Sequence, residues 1–160
     1  MLVACEYSGR VRDAFIAVGH DALSCDFLAT ESPGPHYQGD VRDILGDGWD
    51  LMIAHPPCTY LTVAGLFRNK GNPERAAKTE EALEFVRVLL AAPIQRKALE
   101  NPVGCISSRI RKPNQIIQPF QFGEDASKAT CLWLEGLGPL PIDPTARRGG
   151  AHGRVAPRKR

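Results

Sequence analysis

Two residues of this 160-residue chain could do covalent chemistry together. Cys58 closes the run His55-Pro56-Pro57-Cys58, and Glu100 opens the run Glu100-Asn101-Pro102. A thiolate is intrinsically nucleophilic and also leaves readily, so it suits a covalent intermediate that must later be undone. A carboxylic acid beside the reacting atoms supplies a proton as negative charge develops, typically worth about 10²–10⁴-fold in rate. The paired prolines fix the backbone that leads into the thiol. An isolated cysteine reads as a small buried hydrophobe, and most of Cys5, Cys25, Cys105 and Cys131 are expected to be that. No CxxC pair or His/Cys cluster has zinc-site spacing, so reduced thiols and no metal are expected.

A second set of polar residues punctuates the ends of expected strands. Residues 4–9, ACEYSG, read as a strand–turn–helix junction in which Gly9 lets the backbone approach a ligand. Asp26 ends the next apolar run, where an acidic side chain typically accepts hydrogen bonds from a ribose diol. Gly39-Asp40 ends a third, where a carboxylate could receive an adenine amino group. Each of these residues alone would pass for a turn or cap. Three acidic groups in register along one rim favour a cofactor that contains a nucleoside.

Those positions depend on an alternation of strands and helices. Strands are expected over residues 2–5, 21–25, 37–40, 49–54 and 96–99. One helix should follow Gly9, with Val11, Ala14, Phe15 and Val18 inward, and stop at Gly19. A longer one should start at Asn72 as cap, with Pro73 in its first turn and Glu74 beside it. Its buried stripe reads as Ala82, Phe85, Val86, Leu89 and Leu90, and Pro93 ends it. Residues 115–122 and 129–134 read as an antiparallel closing pair. The sum is an open, largely parallel α/β sheet with helices on both faces, and its carboxyl rim is where ligands bind in such sheets. One domain over residues 1–138 and a basic, loosely ordered tail over 139–160 complete the expected organisation.

Composition sets the outer bounds. No apolar run reaches the ~18 residues of a membrane span, and no signal peptide opens the chain, so a cytoplasmic protein is expected. Residues 1–100 carry ten basic and fourteen acidic side chains, and residues 101–160 carry ten and four. A basic second half suits a polyanion such as nucleic acid, or else a solvated surface.

The specific signal is HPPCTYLTVAG (55–65) followed by ENP (100–102). It resembles the DNA cytosine 5-methyltransferases, which carry Pro-Cys, a hydroxyl residue and a small-Gly pair, then Glu-Asn after the next strand. Pro57-Cys58, Thr62, Ala64-Gly65 and Glu100-Asn101 stand in that order here. More narrowly, VACEYSG, GDV, AHPPCTYL, ENPVG, RKPNQIIQPFQFG and KATCLWL resemble the small phage and prophage DNA cytosine methyltransferases over roughly residues 2–145. The resemblance implies a Rossmann-like methyltransferase fold, DNA as partner and S-adenosylmethionine as methyl donor. It implies Cys58 as nucleophile, Glu100 as acid, and Asn101 as the residue that orients Glu100 or the Cys58 loop. The cofactor would lie along Cys5, Glu6, Tyr7, Ser8, Gly9, Asp26, Phe27, Asp40, Val41 and Pro56. Candidate nucleic-acid contacts are Arg68 and Lys70 on the loop after Cys58, then Arg109, Arg111, Lys112 and Lys128.

Three departures stand out. No stretch is long enough for the family's target-recognition region, and residues 153–160 carry no pattern for the family's closing helix beside the cofactor site. Either the small group does without these parts, a separate subunit supplies them, or the sequence is incomplete. Without the first part, targeting is expected to be lax or to depend on a recognition subunit. Lys128 stands where the larger family has an arginine-containing motif. Two other readings remain open: methylation of RNA, a free nucleotide or an exocyclic amino group, and a silent nucleic-acid-binding protein. Amino methyltransferases carry an aromatic residue where Cys58 stands and need no thiol; the silent protein gives no reason for Cys58 and Glu100 together.

Overall fold

The apolar run Leu2–Ala4 forms strand β1, buried on both faces as interior parallel strands are. It belongs to a sheet with β2 (Leu23–Asp26), β3 (His36–Gln38), β4 (Leu51–Ala54), β5 (Arg96–Pro102), β6 (Gln115–Ile117) and β7 (Thr130–Glu135). The computed structural model describes residues 1–143 together with Thr145 and Ala146. Strand order is β3-β2-β1-β4-β5-β7-β6. The first five strands are parallel, and β7 runs antiparallel to both β5 and β6. This is the expected α/β class, with the last strand inserted between its two predecessors. The order 3-2-1-4-5 reverses direction between β1 and β4, the switch point at which open α/β sheets bind ligands.

Helices cover both faces. The long helix α3 (Pro73–Ala91) buries Leu83, Val86 and Leu89 against Leu2, Ala4, Met52, Ala54 and Leu99 in the main core. Asn72 caps it by accepting from the Arg75 amide, with Pro73 in the first turn. The buried stripe is rotated from the expected one: Thr79 and Leu83 lie inside, and Ala82, Phe85 and Leu90 flank it. At the far end Lys97 Nζ donates to the carbonyls of Leu90 (2.5 Å) and Ala92 (2.9 Å) and pairs with Glu135. A buried ammonium thus satisfies helix-end acceptors that would otherwise be orphaned.

The helix α1 (Arg10–Ala17) lies on the other face and corrects its expected packing. The face drawn from Val11, Ala14, Phe15 and Val18 is not the buried one: Val18 is 71% exposed, and only Arg12 is fully enclosed. Arg12 donates to Asp13 Oδ1 (2.8 Å), Ser24 Oγ (3.1 Å) and the Ser32 carbonyl (2.9 Å). Six polar contacts in all make burial of a charge tolerable, and hydrophobic periodicity gives no warning of it. Ser24 is in register with Val3 on β1, which fixes α1 to the face opposite α3.

Strand β5 is also longer than expected. Glu100, Asn101 and Pro102 are strand residues paired with Leu132, Cys131 and Thr130 of β7, rather than a loop beyond a strand end. Parallel pairing with β4 stops at Ala54 and Leu99, so the last three residues of β5 project past β4 with only β7 beside them. The tail expected over 139–160 lies outside the described residues at position 144 and from 147 onward. Its start is tied down, because Leu140 exchanges two hydrogen bonds with the Gln115 side chain.

Candidate active site

The acidic rim forms where β1, β2 and β3 end. Cys5 holds φ 58°, the only positive φ of a non-glycine among the described residues, and turns the chain out of β1. The Glu6 amide then donates to the Cys25 carbonyl at 3.0 Å. The Glu6 side chain is buried; its Oε1 accepts from the Ser8 hydroxyl and from the Arg10 amide (3.1 Å). Its Oε2 is buried with no partner among the described residues. Gly9, at φ 76°, has no room for a side chain, because a Cβ there would sit 2.6 Å from the Arg12 guanidinium.

The two aspartates are held by their own neighbours. Asp26 Oδ1 accepts from the Leu28 amide at 3.0 Å. Asp40 caps a short 3₁₀ turn, Val41–Asp43, by accepting from the Arg42 amide at 2.9 Å. The Arg42 guanidinium also grips both oxygens of Asp40 and holds its carboxyl below the usual aspartate value. A nucleoside amino group would therefore have to displace Arg42, whose side chain is 60% exposed. A narrow pocket of about 90 Å³ opens between Cys5, Asp26, Phe27, Asp40, Val41 and Pro57, room for part of a nucleoside. Phe27 is 68% exposed at its mouth, Tyr7 and Ser8 lie on the turn outside it, and Pro57 rather than Pro56 lines it.

Cys58 sits half-buried on the loop after β4, and distant residues build that loop. The Cys58 carbonyl accepts from the amides of Leu61 (3.0 Å) and Thr62 (3.1 Å), curling the chain. Thr62 caps α2 (Val63–Leu66) through its hydroxyl. Arg75 of α3 donates to the carbonyls of Thr59 (3.0 Å) and Gly65 (3.3 Å) and stacks on the Tyr60 ring at 4.7 Å. Thr79 donates to the Tyr60 carbonyl at 3.1 Å. From the other side, residues 103–105 bind the loop edge: the Cys105 amide donates to the Leu61 carbonyl at 2.8 Å, and Gly104 bridges to Thr62. A Cβ on Gly104 would run into the Leu61 carbonyl oxygen, and one on Gly65 would lie 2.5 Å from that of Thr59.

The two ends of this arrangement meet through Glu100 and Asn101. Asn101 is fully buried and donates from Nδ2 to the Pro56 carbonyl at 2.7 Å, which ties β5 to the loop that carries Cys58. Glu100, next to it on the opposite face of the strand, has Oε2 3.1 Å from His55 Nδ1. Sequence reasoning assigned His55 no role, although it stands beside the prolines at the end of β4. Pairing of Ala54 with Leu99 would have placed it across from Glu100. Arg75 and Thr79 were missed as well, for they act on a loop that only the tertiary fold brings near. Burial pushes the thiols of Cys5 and Cys25 up to about 12 and about 11, and those of Cys105 and Cys131 up too. None of these four has the makings of a thiolate at neutral pH.

The six basic candidates divide in two. Arg68, Lys70, Lys112 and Lys128 are exposed, and Arg68 and Lys70 flank the Cys58 loop. Arg109, at the end of α4 (Ile106–Arg109), donates to both oxygens of Glu80 (3.0 and 2.9 Å). Arg111 pairs with Glu135 at 3.2 Å. Both pairs are partly exposed, so a polyanion could compete for them at small cost. Comparison with protein-family models and with curated proteins finds no match for this chain, so the reading of its function rests on the residues and geometry of the site.

Proposed function

We propose that this chain transfers a methyl group from S-adenosylmethionine to carbon 5 of cytosine in DNA, as a small member of the methyltransferases its motifs resemble. One observation carries the reading: Cys58 follows a rigid Pro-Pro pair at the switch point, and the adjacent strand carries Glu100 and an Asn101 bonded to the Pro56 carbonyl. A fold alone requires none of that at a sheet rim.

The residues fit the cofactor on a structural ground. Glu6 is buried and keeps Oε2 unpartnered, an acceptor free for a positively charged ligand group, while Asp26 keeps one oxygen for a hydroxyl. S-adenosylmethionine supplies, when bound, an electrophilic methyl group. The chain's own residues prepare the base. Cys58 as thiolate adds to ring carbon 6 and makes carbon 5 nucleophilic. Glu100 gives a proton to ring nitrogen 3 as negative charge develops there. Loss of the 5-hydrogen as a proton then expels the thiolate. The base must first leave the helix stack, at a cost of a few kcal/mol. Exposed Arg68 and Lys70 beside the loop supply phosphate contacts, with little sequence preference unless a recognition subunit joins.

DNA containing 5-fluorocytosine tests this directly. With cofactor present the protein should form a covalent complex, because fluorine cannot be lost as a proton, and peptide mapping should place the link on Cys58. Glu100→Gln should slow trapping by about 10²-fold. Absence of any complex with folded wild-type protein, in single- or double-stranded DNA, overturns the reading and moves another nucleobase target ahead.

A further inference from the structure

Glu100 can serve as a proton donor only if one particular oxygen carries the proton. Two oxygens share a carboxyl group, and the acidic hydrogen does its work on the one that faces the ligand. In this site they are not equivalent. Oε2 lies 3.1 Å from His55 Nδ1, whereas Oε1 makes no hydrogen bond among the described residues. The two side chains are 28% and 29% exposed, so each reaches the rim while its contact lies partly inside.

His55 is itself immobilised. Its amide donates to the Ala4 carbonyl at 2.9 Å, extending the β1–β4 ladder by one rung, and Pro56 follows at once. The ring's far nitrogen, Nε2, is buried without a partner among the described residues. A buried Nε2–H would be an unsatisfied donor, and a bare Nε2 leaves only a lone pair unmet. A hydrogen on Nδ1 has an acceptor waiting in Oε2. Hydrogen bonding at one ring nitrogen fixes the tautomer of the whole ring.

We propose that His55 is a positioning residue for Glu100: it holds its hydrogen on Nδ1, donates it to Oε2, and so leaves the acidic proton of Glu100 on Oε1, the oxygen free for a ligand. A protonated carboxyl accepts best at its carbonyl oxygen, so the donor at Oε2 makes that atom the carbonyl and Oε1 the hydroxyl. The same contact stops the carboxyl from rotating. The inference rests on the reading of Glu100 as an acid, but its physical core, the tautomer, is measurable without any reaction.

Nitrogen-15 NMR of the imidazoles in ligand-free wild-type protein should show His55 with its hydrogen on Nδ1. Glu100→Ala should convert it to the Nε2–H form usual for free imidazole. An Nε2–H ring in the wild type, or a tautomer indifferent to Glu100→Ala, overturns the proposal and leaves methyl transfer untouched. In kinetics, His55→Ala should lower kcat about 10²-fold while KM for DNA stays within about twofold, the scale expected of a misplaced catalytic group. His55→Asn, whose amide can donate from near the Nδ1 position, should recover at least tenfold of that loss. An Asn variant no better than Ala, or a loss confined to KM, also overturns the proposal. Full activity in Glu100→Gln removes the acid role beneath it, and the NMR result then stands apart from that failure.

Discussion

The acidic rim and the Cys58 loop lie at the ends of neighbouring strands, yet they are held in opposite ways. On the rim every hydrogen bond to a carboxylate comes from two to four positions away: Glu6 Oε1 accepts from Ser8 and Arg10, Asp26 Oδ1 from Leu28, and Asp40 from Arg42. Around Cys58 the contacts come from afar: Arg75 reaches back sixteen residues to Thr59, Thr79 nineteen to Tyr60, and Asn101 forty-five to Pro56. Local turns form wherever the chain does. The contacts of the loop form only once α3 and β5 have docked, so the acidic rim and the Cys58 loop should respond differently to damage.

The largest separation between the two is chemical. Cys58→Ser should abolish methyl transfer and 5-fluorocytosine trapping, while cofactor binding by calorimetry and the far-ultraviolet dichroism remain those of the wild type. Changing Cys25, Cys105 or Cys131 to Ala should leave trapping intact. Methylation at full rate in Cys58→Ser would place the chemistry elsewhere and remove the meaning of the comparison.

A structural break comes next. Gly104→Ala inserts a carbon against backbone rather than against a flexible side chain, and should cost about 1–3 kcal/mol by urea unfolding. Gly46→Ala, where nothing lies within 4 Å, is the matched control and should change stability little. Equal effects at both glycines would mean that the packing between residues 61 and 104 is loose.

Arg75→Ala removes from the loop two hydrogen bonds, each worth about 0.5–1.5 kcal/mol net, and a ring contact worth about 0.5–1 kcal/mol. Hydrogen exchange should quicken at the amides of Leu61 and Thr62 and hold steady at Glu6. Exchange that quickened on the rim to the same degree would show the two regions to be one cooperative unit.

The smallest effect belongs to acid. Asp40, held below its ordinary value by Arg42, contributes stability that is whole above the unfolded aspartate value of 3.8 and fades as pH falls through the lowered one. Arg42→Ala should shift acid unfolding slightly upward in pH. It should also tighten binding of a nucleoside to the rim, since the carboxylate is then free.

How much of this was readable beforehand follows the same division. The cap Asn72-Pro73, the positions of Asp26 and Asp40 and the mixed sheet were legible because turn chemistry and periodicity are local signals. The buried stripe of α3 was read about one residue askew, because Thr79 counts as polar until its hydroxyl is seen bonded to the Tyr60 carbonyl. Arg12 was invisible as a core residue: its acceptors come from residues 13–35, and four of them are loop oxygens that no pattern announces. His55 was visible as a letter in a motif, but its partner stands on another strand. Cys58, Glu100 and Asn101 were read from a motif, whereas the place of Glu100 inside β5 needed β7 to appear beside it.

That last placement bears on when the site can exist. Glu100 and Asn101 are adjacent, so they leave the strand on opposite faces, one toward His55 and the other toward Pro56. A slip of one residue would exchange them. Up to Leu99 the register is fixed by β4, but beyond it only the rungs with Leu132, Cys131 and Thr130 remain. A chain emerging during synthesis therefore holds Cys58, Glu100 and Asn101 before it holds their alignment. That alignment waits for β7 to thread between β5 and β6, two strands that precede it in the chain, so β7 acts as a completion check on the rim.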